Sequence, residues 1–190
     1  MFEKDAIHSR GKALEDEFFY RIDMELRAKR QAQLDREQSR EKLATATGFQ
    51  DEELLDHLLD AGFAPSTLTA LALVPTVFVA WADGNVTVAE RQAILSAALH
   101  RGVHDEPTAF AMIESWLHKR PPQSLWDLWQ EYAHALSRSL APALASILHR
   151  EILRLATTVA EASGGYFGRG EISKAEQAIL DQIADLETTP

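Results

Sequence analysis

The chain has 190 residues, no cysteine, 46% apolar and 25% charged side chains, and a formal net charge of −10. That is enough for one domain with a sizeable core plus an appendage, and it excludes disulfides, thiolate catalysis and zinc–sulfur sites. Residues 1–46 carry 10 Lys/Arg against 10 Asp/Glu, so the whole acidic excess lies in the remaining residues; a body of that sign repels phosphate backbones and anionic lipid. The expected partners are therefore other proteins or a divalent metal rather than nucleic acid, with membrane association only through those proteins.

The N-terminus, MFEKDAIHSRGK, lacks an apolar run of signal-peptide type, and the expected localisation is cytoplasmic. Residues 1–47 are dense in Glu, Lys, Arg, Gln and Ala, which favour helix. Leu14, Phe18, Ile22 and Leu26 recur every four residues and form one narrow apolar stripe among charges. Such a helix either lays its stripe on the body or serves as an interaction arm. The expected division is an arm over 1–47 and a helical bundle over 48–190.

Asp51–Asp60 reads as a short acidic amphipathic helix with Leu54, Leu55, Leu58 and Leu59 inward, stopped at Gly62. Phe63–Ala82 follows without a charge. Its length is near that of a bilayer span, but it is flanked by Asp60 and Asp83 and contains Pro65 and Pro75. The reading taken is a central buried helix, apolar all round because neighbours surround it, and kinked at Pro75.

Thr87–His100 is the next helix. Asp105 is expected to cap a helix carrying Phe110, Ile113, Trp116 and Leu117, and Pro121-Pro122 starts another with Leu125, Leu128, Trp129, Tyr132 and Leu136. Pro142 begins a long helix with Leu144, Ile147, Leu148, Leu155 and Val159, and Ser173–Leu186 closes the chain. No stretch shows sustained strand-type alternation. The expected fold class is all-α, a helical bundle with an internal pseudo-repeat behind a charged N-terminal helix. Trp116, Trp126, Trp129 and Tyr132, at helical spacing, are expected in the core.

The pseudo-repeat carries the candidate site. Asp83–Glu90 has the form DGxVTxxE, and Arg169–Glu176 has the form xGxISxxE; the Glu90–Glu176 offset is 86 and the Val79–Val159 offset is 80, so the second copy has six residues inserted in its turn. Two readings stand. Thr87 and Ser173 are N-caps with Glu90 and Glu176 reaching back, a capping box that needs no ligand. Alternatively, the acidic side chains and turn carbonyls hold a hard divalent ion. An EF-hand is excluded, because Val79 and Trp81 stand where its first ligands belong.

The segments VAWADGNVTVAER (79–91) and VAEASGGYFGRGEISKAEQAIL (159–180) resemble the TerB-like domain of bacterial tellurite-resistance and stress-response proteins. The likeness covers about residues 68–186. It implies a compact helical bundle without a catalytic centre, tied to stress-response assemblies near the membrane, with acidic residues linked to calcium. Carried over singly, Asp83 and Glu90 match the first acidic motif and Glu176 the second; Arg169 replaces the acid expected in the second turn. The N-terminal segment RGKALEDEF (10–18), with GFQDEE at 48–53, is similar to the ζ-type ATP-synthase inhibitor family, whose N-terminal segment inhibits the rotary ATPase. That likeness implies an inhibitory or docking role for the N-terminal helix.

Residues 163–170 (SGGYFGRG) lack the Lys-Ser/Thr of a phosphate loop. His100 and His104 are four apart but separated by Gly102. No nucleophile–base arrangement stands out, and the chain is read as a non-enzyme.

Overall fold

A computed structural model describes residues 2–162 and 172–186, with side chains from Glu17 onward apart from His104. Among these residues there are eight α-helices, two stretches of 3-10 helix and no strand, so the all-α class is observed. The chain divides into two units, Met1–Lys42 and Leu43–Pro190.

From Phe2 onward the first unit is helix. It belongs to α1 (Phe2–Thr47), 46 residues of continuous helix, about 70 Å at 1.5 Å per residue. Pairs one turn apart brace its polar surface: Asp23 meets Arg27 at 2.9 Å, and Gln31 donates to Asp35 at 2.8 Å. Each such pair contributes a few tenths of a kcal/mol at most.

The second unit begins inside the last turn of α1, because Leu43 is fully buried in its core. Helix α2 (Glu52–Asp60) starts on Asp51, whose carboxylate accepts from Glu53 N–H and Leu54 N–H at 3.1 and 3.2 Å. It ends in a Schellman motif: Phe63 N–H donates to Leu58 C=O and Gly62 N–H to Leu59 C=O, with Gly62 at φ +83°. Only glycine takes that backbone conformation without strain. Leu54, Leu55 and Leu58 turn into the core, and Leu59 is only partly covered.

The uncharged stretch departs from expectation. It is not one kinked helix but a 3-10 helix, Pro65–Leu73, followed by a new helix α3 (Val74–Ala80). Pro75 therefore lies in the first turn of α3, where a missing N–H leaves no gap in the ladder. The buried hydroxyls are used locally: Thr67 accepts from Ala64 N–H at 2.8 Å and Thr76 donates to Leu73 C=O at 2.6 Å. All seven residues of α3 are buried. Its apolar character reflects a central position in this unit, and among the described residues no single helix is long and apolar enough to cross a membrane.

Around α3 lie α4 (Val88–His100), α6 (Gln123–Ser139), α7 (Pro142–Ala162) and α8 (Lys174–Asp185), while α5 (Pro107–His118) packs on the 3-10 helix. Within the pseudo-repeat, α3 packs on both α7 and α8, and α7 packs on both α3 and α4. Each copy is completed by the other. The equivalent Val79 and Val159 are both wholly buried, one in each copy.

Two further expectations are corrected. Asp105 is not the cap of α5 but ends a short 3-10 turn, Val103–Asp105; Glu106 occupies the cap position and Pro107 the first turn. Leu144 and Ile147 on α7 are exposed, although Ala156, Val159 and Ala160 of the same helix are buried. The core packs the second half of α7 and leaves the first half to solvent on that side. Trp126 and Trp129 are core residues as expected, their rings tilted by 38° with centroids 4.8 Å apart and Phe78 5.1 Å from Trp126; Trp116 and Tyr132 are partly covered.

Candidate functional site

The turn between α3 and α4 is set by local chemistry. Trp81 ends α3, Gly84 takes φ +95°, and the Asp83 carboxylate accepts from Asn85 N–H at 3.0 Å. Thr87 then caps α4: its hydroxyl accepts from Glu90 N–H at 3.2 Å, and the Glu90 carboxylate accepts from Thr87 N–H at 2.7 Å. The second copy repeats these bonds, with Ser173 Oγ to Glu176 N–H at 3.2 Å and Glu176 Oε2 to Ser173 N–H at 2.7 Å. Both capping boxes are present, satisfying amides that a helix start otherwise leaves without partners.

These boxes differ from ordinary surface caps in their burial. Glu90 and Glu176 are 1% and 3% exposed, the only buried acidic side chains among the described residues. Burial pushes the Glu90 carboxyl above its usual range; the hydrogen bonds from Thr87 oppose this, and the charges of Glu176 and then Asp83 add to it. Among the described residues no group of three or more His, Asp or Glu side chains forms a ligand cluster. Residues 163–171, with Gly170 and Arg169 of the second turn, lie outside the described residues.

Two contacts at the first turn were not visible in the sequence. Trp81 Nε1–H donates to Trp116 C=O at 2.8 Å, and Arg91 Nη2–H donates to Leu117 C=O at 2.6 Å. Both acceptors belong to the last turn of α5, whose carbonyls lack partners within the helix. Arg91 also places a cation at the negative end of that helix dipole. The residues flanking the acidic turn therefore hold α5, a structural task alongside whatever the carboxylates do.

The other predicted site lies on α1. Phe18, Ile22 and Leu26 are exposed, along with Phe19, Tyr20, Met24 and Leu34, and Phe18 and Phe19 meet edge-to-face at 5.9 Å. The side chain of Leu14 lies outside the described residues.

In comparisons with known proteins, no family model, curated protein or solved structure matches this chain.

Proposed function

We propose that the chain is a non-enzymatic, TerB-like interaction module of a cytoplasmic stress-response assembly, with the helical body as scaffold and the N-terminal helix as the part that engages another protein. The observation that carries this reading is the exposed row Phe18, Ile22 and Leu26, widened by Phe19. Large apolar side chains grouped on one helix and left in water mark a protein-contact surface, and their spacing suits a helix-in-groove contact. The balanced charge of residues 1–46 adds no repulsion toward an acidic or a basic partner.

The test is crosslinking and affinity capture with the full chain against the double variant Phe18→Asp/Ile22→Asp. The reading expects a specific set of proteins to be lost in the variant while the melting curve is unchanged. An identical set from both proteins sinks it. The same exposed row favours a second reading, an inhibitory role of the ATP-synthase-inhibitor type. Inhibition of a rotary ATPase by residues 1–47 alone would separate that reading from the first.

The paired turns are proposed as a calcium site of this module. The support is that the charges of Glu176 and then Asp83 act on the buried Glu90 carboxyl, which a divalent cation would relieve. Thermal melts with calcium, then magnesium, on wild type, Asp83→Asn and Glu90→Gln test it. A calcium-dependent rise that both variants lose supports the site. No rise in wild type leaves the glutamates as caps alone.

A further inference from the structure

The exposed row on α1 is symmetric about one residue. Glu15, Phe18, Ile22, Leu26 and Lys29 are spaced three, four, four and three residues apart. At 3.6 residues per turn, all five register positions fall on one helix face within an arc of about 80°. Phe18, Ile22 and Leu26 are exposed to solvent, and Phe19 lies edge-to-face on Phe18 at 5.9 Å. The charges around the row follow the same centre with opposite sign. Glu15, Asp16 and Glu17 precede it, while Arg27, Lys29 and Arg30 end it and follow it. The helix is continuous over the whole stretch.

That pattern is complementary to its own reverse. Two copies of α1 laid antiparallel, crossing at Ile22, bring Phe18 of each copy opposite Leu26 of the other and the Glu15 position of each opposite Lys29 of the other. A parallel pair in register sets Glu15 against Glu15 and Lys29 against Lys29, which is repulsive. A parallel pair staggered to match one Glu15 with one Lys29 places Ile22 against Arg36 and Leu26 against Arg40, so the apolar row loses its partner row. A two-fold interface demands a patch that matches itself in this way. A groove on a different protein imposes no such symmetry.

We infer that α1 pairs with α1 of a second copy of this chain, antiparallel and centred on Ile22. The inference rests on the reading of the row as a protein-contact surface, and names the partner. Burial of Phe18, Ile22 and Leu26 from both copies supplies the affinity, since these side chains stand in water in the single chain. The two Glu15–Lys29 pairs set direction and register, as flanking charges do along helix–helix seams. From Glu15 to Lys29 the seam runs about 21 Å, or about four helical turns.

The test is sedimentation velocity of the full chain over a wide concentration range. A reversible monomer–dimer equilibrium is expected, the larger species having twice the 21.2 kDa of one chain. Ile22→Asp should weaken the dimer about a hundredfold. Glu15→Lys and Lys29→Glu should each weaken it about tenfold at low salt, because each reverses one member of both pairs. An equimolar mixture of these two variants, and the double variant Glu15→Lys/Lys29→Glu, should both recover wild-type association. That recovery excludes misfolding as the cause of the losses, and high salt should shrink all the charge effects. A monomer at every concentration, a dimer indifferent to Ile22→Asp or to the single reversals, or a double variant as weak as the singles overturns the inference. A monomeric chain whose Phe18→Asp/Ile22→Asp variant still loses captured proteins overturns this inference alone; the interaction reading falls only if the captured set is also unchanged.

Discussion

Glu90 and Glu176 stand at the same position of two capping boxes, each accepting its cap amide at 2.7 Å, and both are buried. An N3 glutamate normally sits at a solvated helix start, where its charge is welcome to the dipole. Here desolvation outweighs that benefit for Glu90, and the neighbouring charges of Glu176 and Asp83 push in the same direction. Glu90 keeps its cap at an electrostatic penalty that a proton or a cation relieves.

The first prediction follows from the sign of that shift. A carboxyl raised in the folded state contributes stability that is present below its unfolded value, about 4.3, and is lost as pH rises through the folded value. Glu90→Gln keeps an acceptor for Thr87 N–H and discards the charge. Without calcium its midpoint should exceed that of wild type at pH 7, and the difference should vanish below about pH 4. Melts across that range check this; a variant less stable at pH 7 contradicts it.

The hydroxyls give a complementary prediction. Thr87→Ala and Ser173→Ala each remove one acceptor from a buried helix start and should cost about 1 kcal/mol. For a domain of this size that lowers the midpoint by about 2–4 °C. The two losses should not add fully, since Glu90 and Glu176 share an electrostatic environment and neighbours couple. Urea unfolding of both singles and the double measures the coupling.

The capping boxes were legible in the sequence because their partners lie three residues apart, a spacing that local stereochemistry determines. The same holds for α2, where Asp51, four leucines and Gly62 spell start, face and stop. Trp81–Trp116 and Arg91–Leu117 were not legible, since they join residues 35 and 26 apart. The stretch 63–82 misled for a different reason. With every residue apolar or small, periodicity cannot distinguish 3-10 from α-helix, and Pro75 fits both a kink and a first turn. Leu144 and Ile147 have core-like spacing yet are exposed, because the core covers only the second half of α7, where Ala156, Val159 and Ala160 are buried.

Those long-range bonds make a third prediction. Trp81→Phe keeps the ring but withdraws the donor from Trp116 C=O, and Arg91→Met withdraws the donor and cation from Leu117 C=O. Each should cost about 1–3 kcal/mol as a partly buried carbonyl loses its partner. Hydrogen exchange should rise first in the last turn of α5, residues 115–118, before the rest of the body. Uniform loss of protection would show that these residues act on the core as a whole.

The fourth prediction concerns His57 and Glu131, which join α2 to α6 through a 2.9 Å contact. The hydrogen bond to Glu131 raises the imidazole above its ordinary value; desolvation opposes it, and the charges of Glu131, Glu53 and Asp60 each add a smaller upward push. A raised histidine contributes stability fully present below its unfolded value of about 6.5 and lost as pH climbs through the folded value. Glu131→Gln should therefore destabilise the body near pH 6 and leave it unchanged near pH 8.5, where the imidazole is neutral in both proteins. Because both side chains are substantially exposed, solvent screening keeps the effect small, and raising the salt concentration should shrink it further. NMR titration of the His57 ring gives the direct reading: its midpoint should fall in Glu131→Gln, and an unmoved midpoint would show that the contact does not hold the proton.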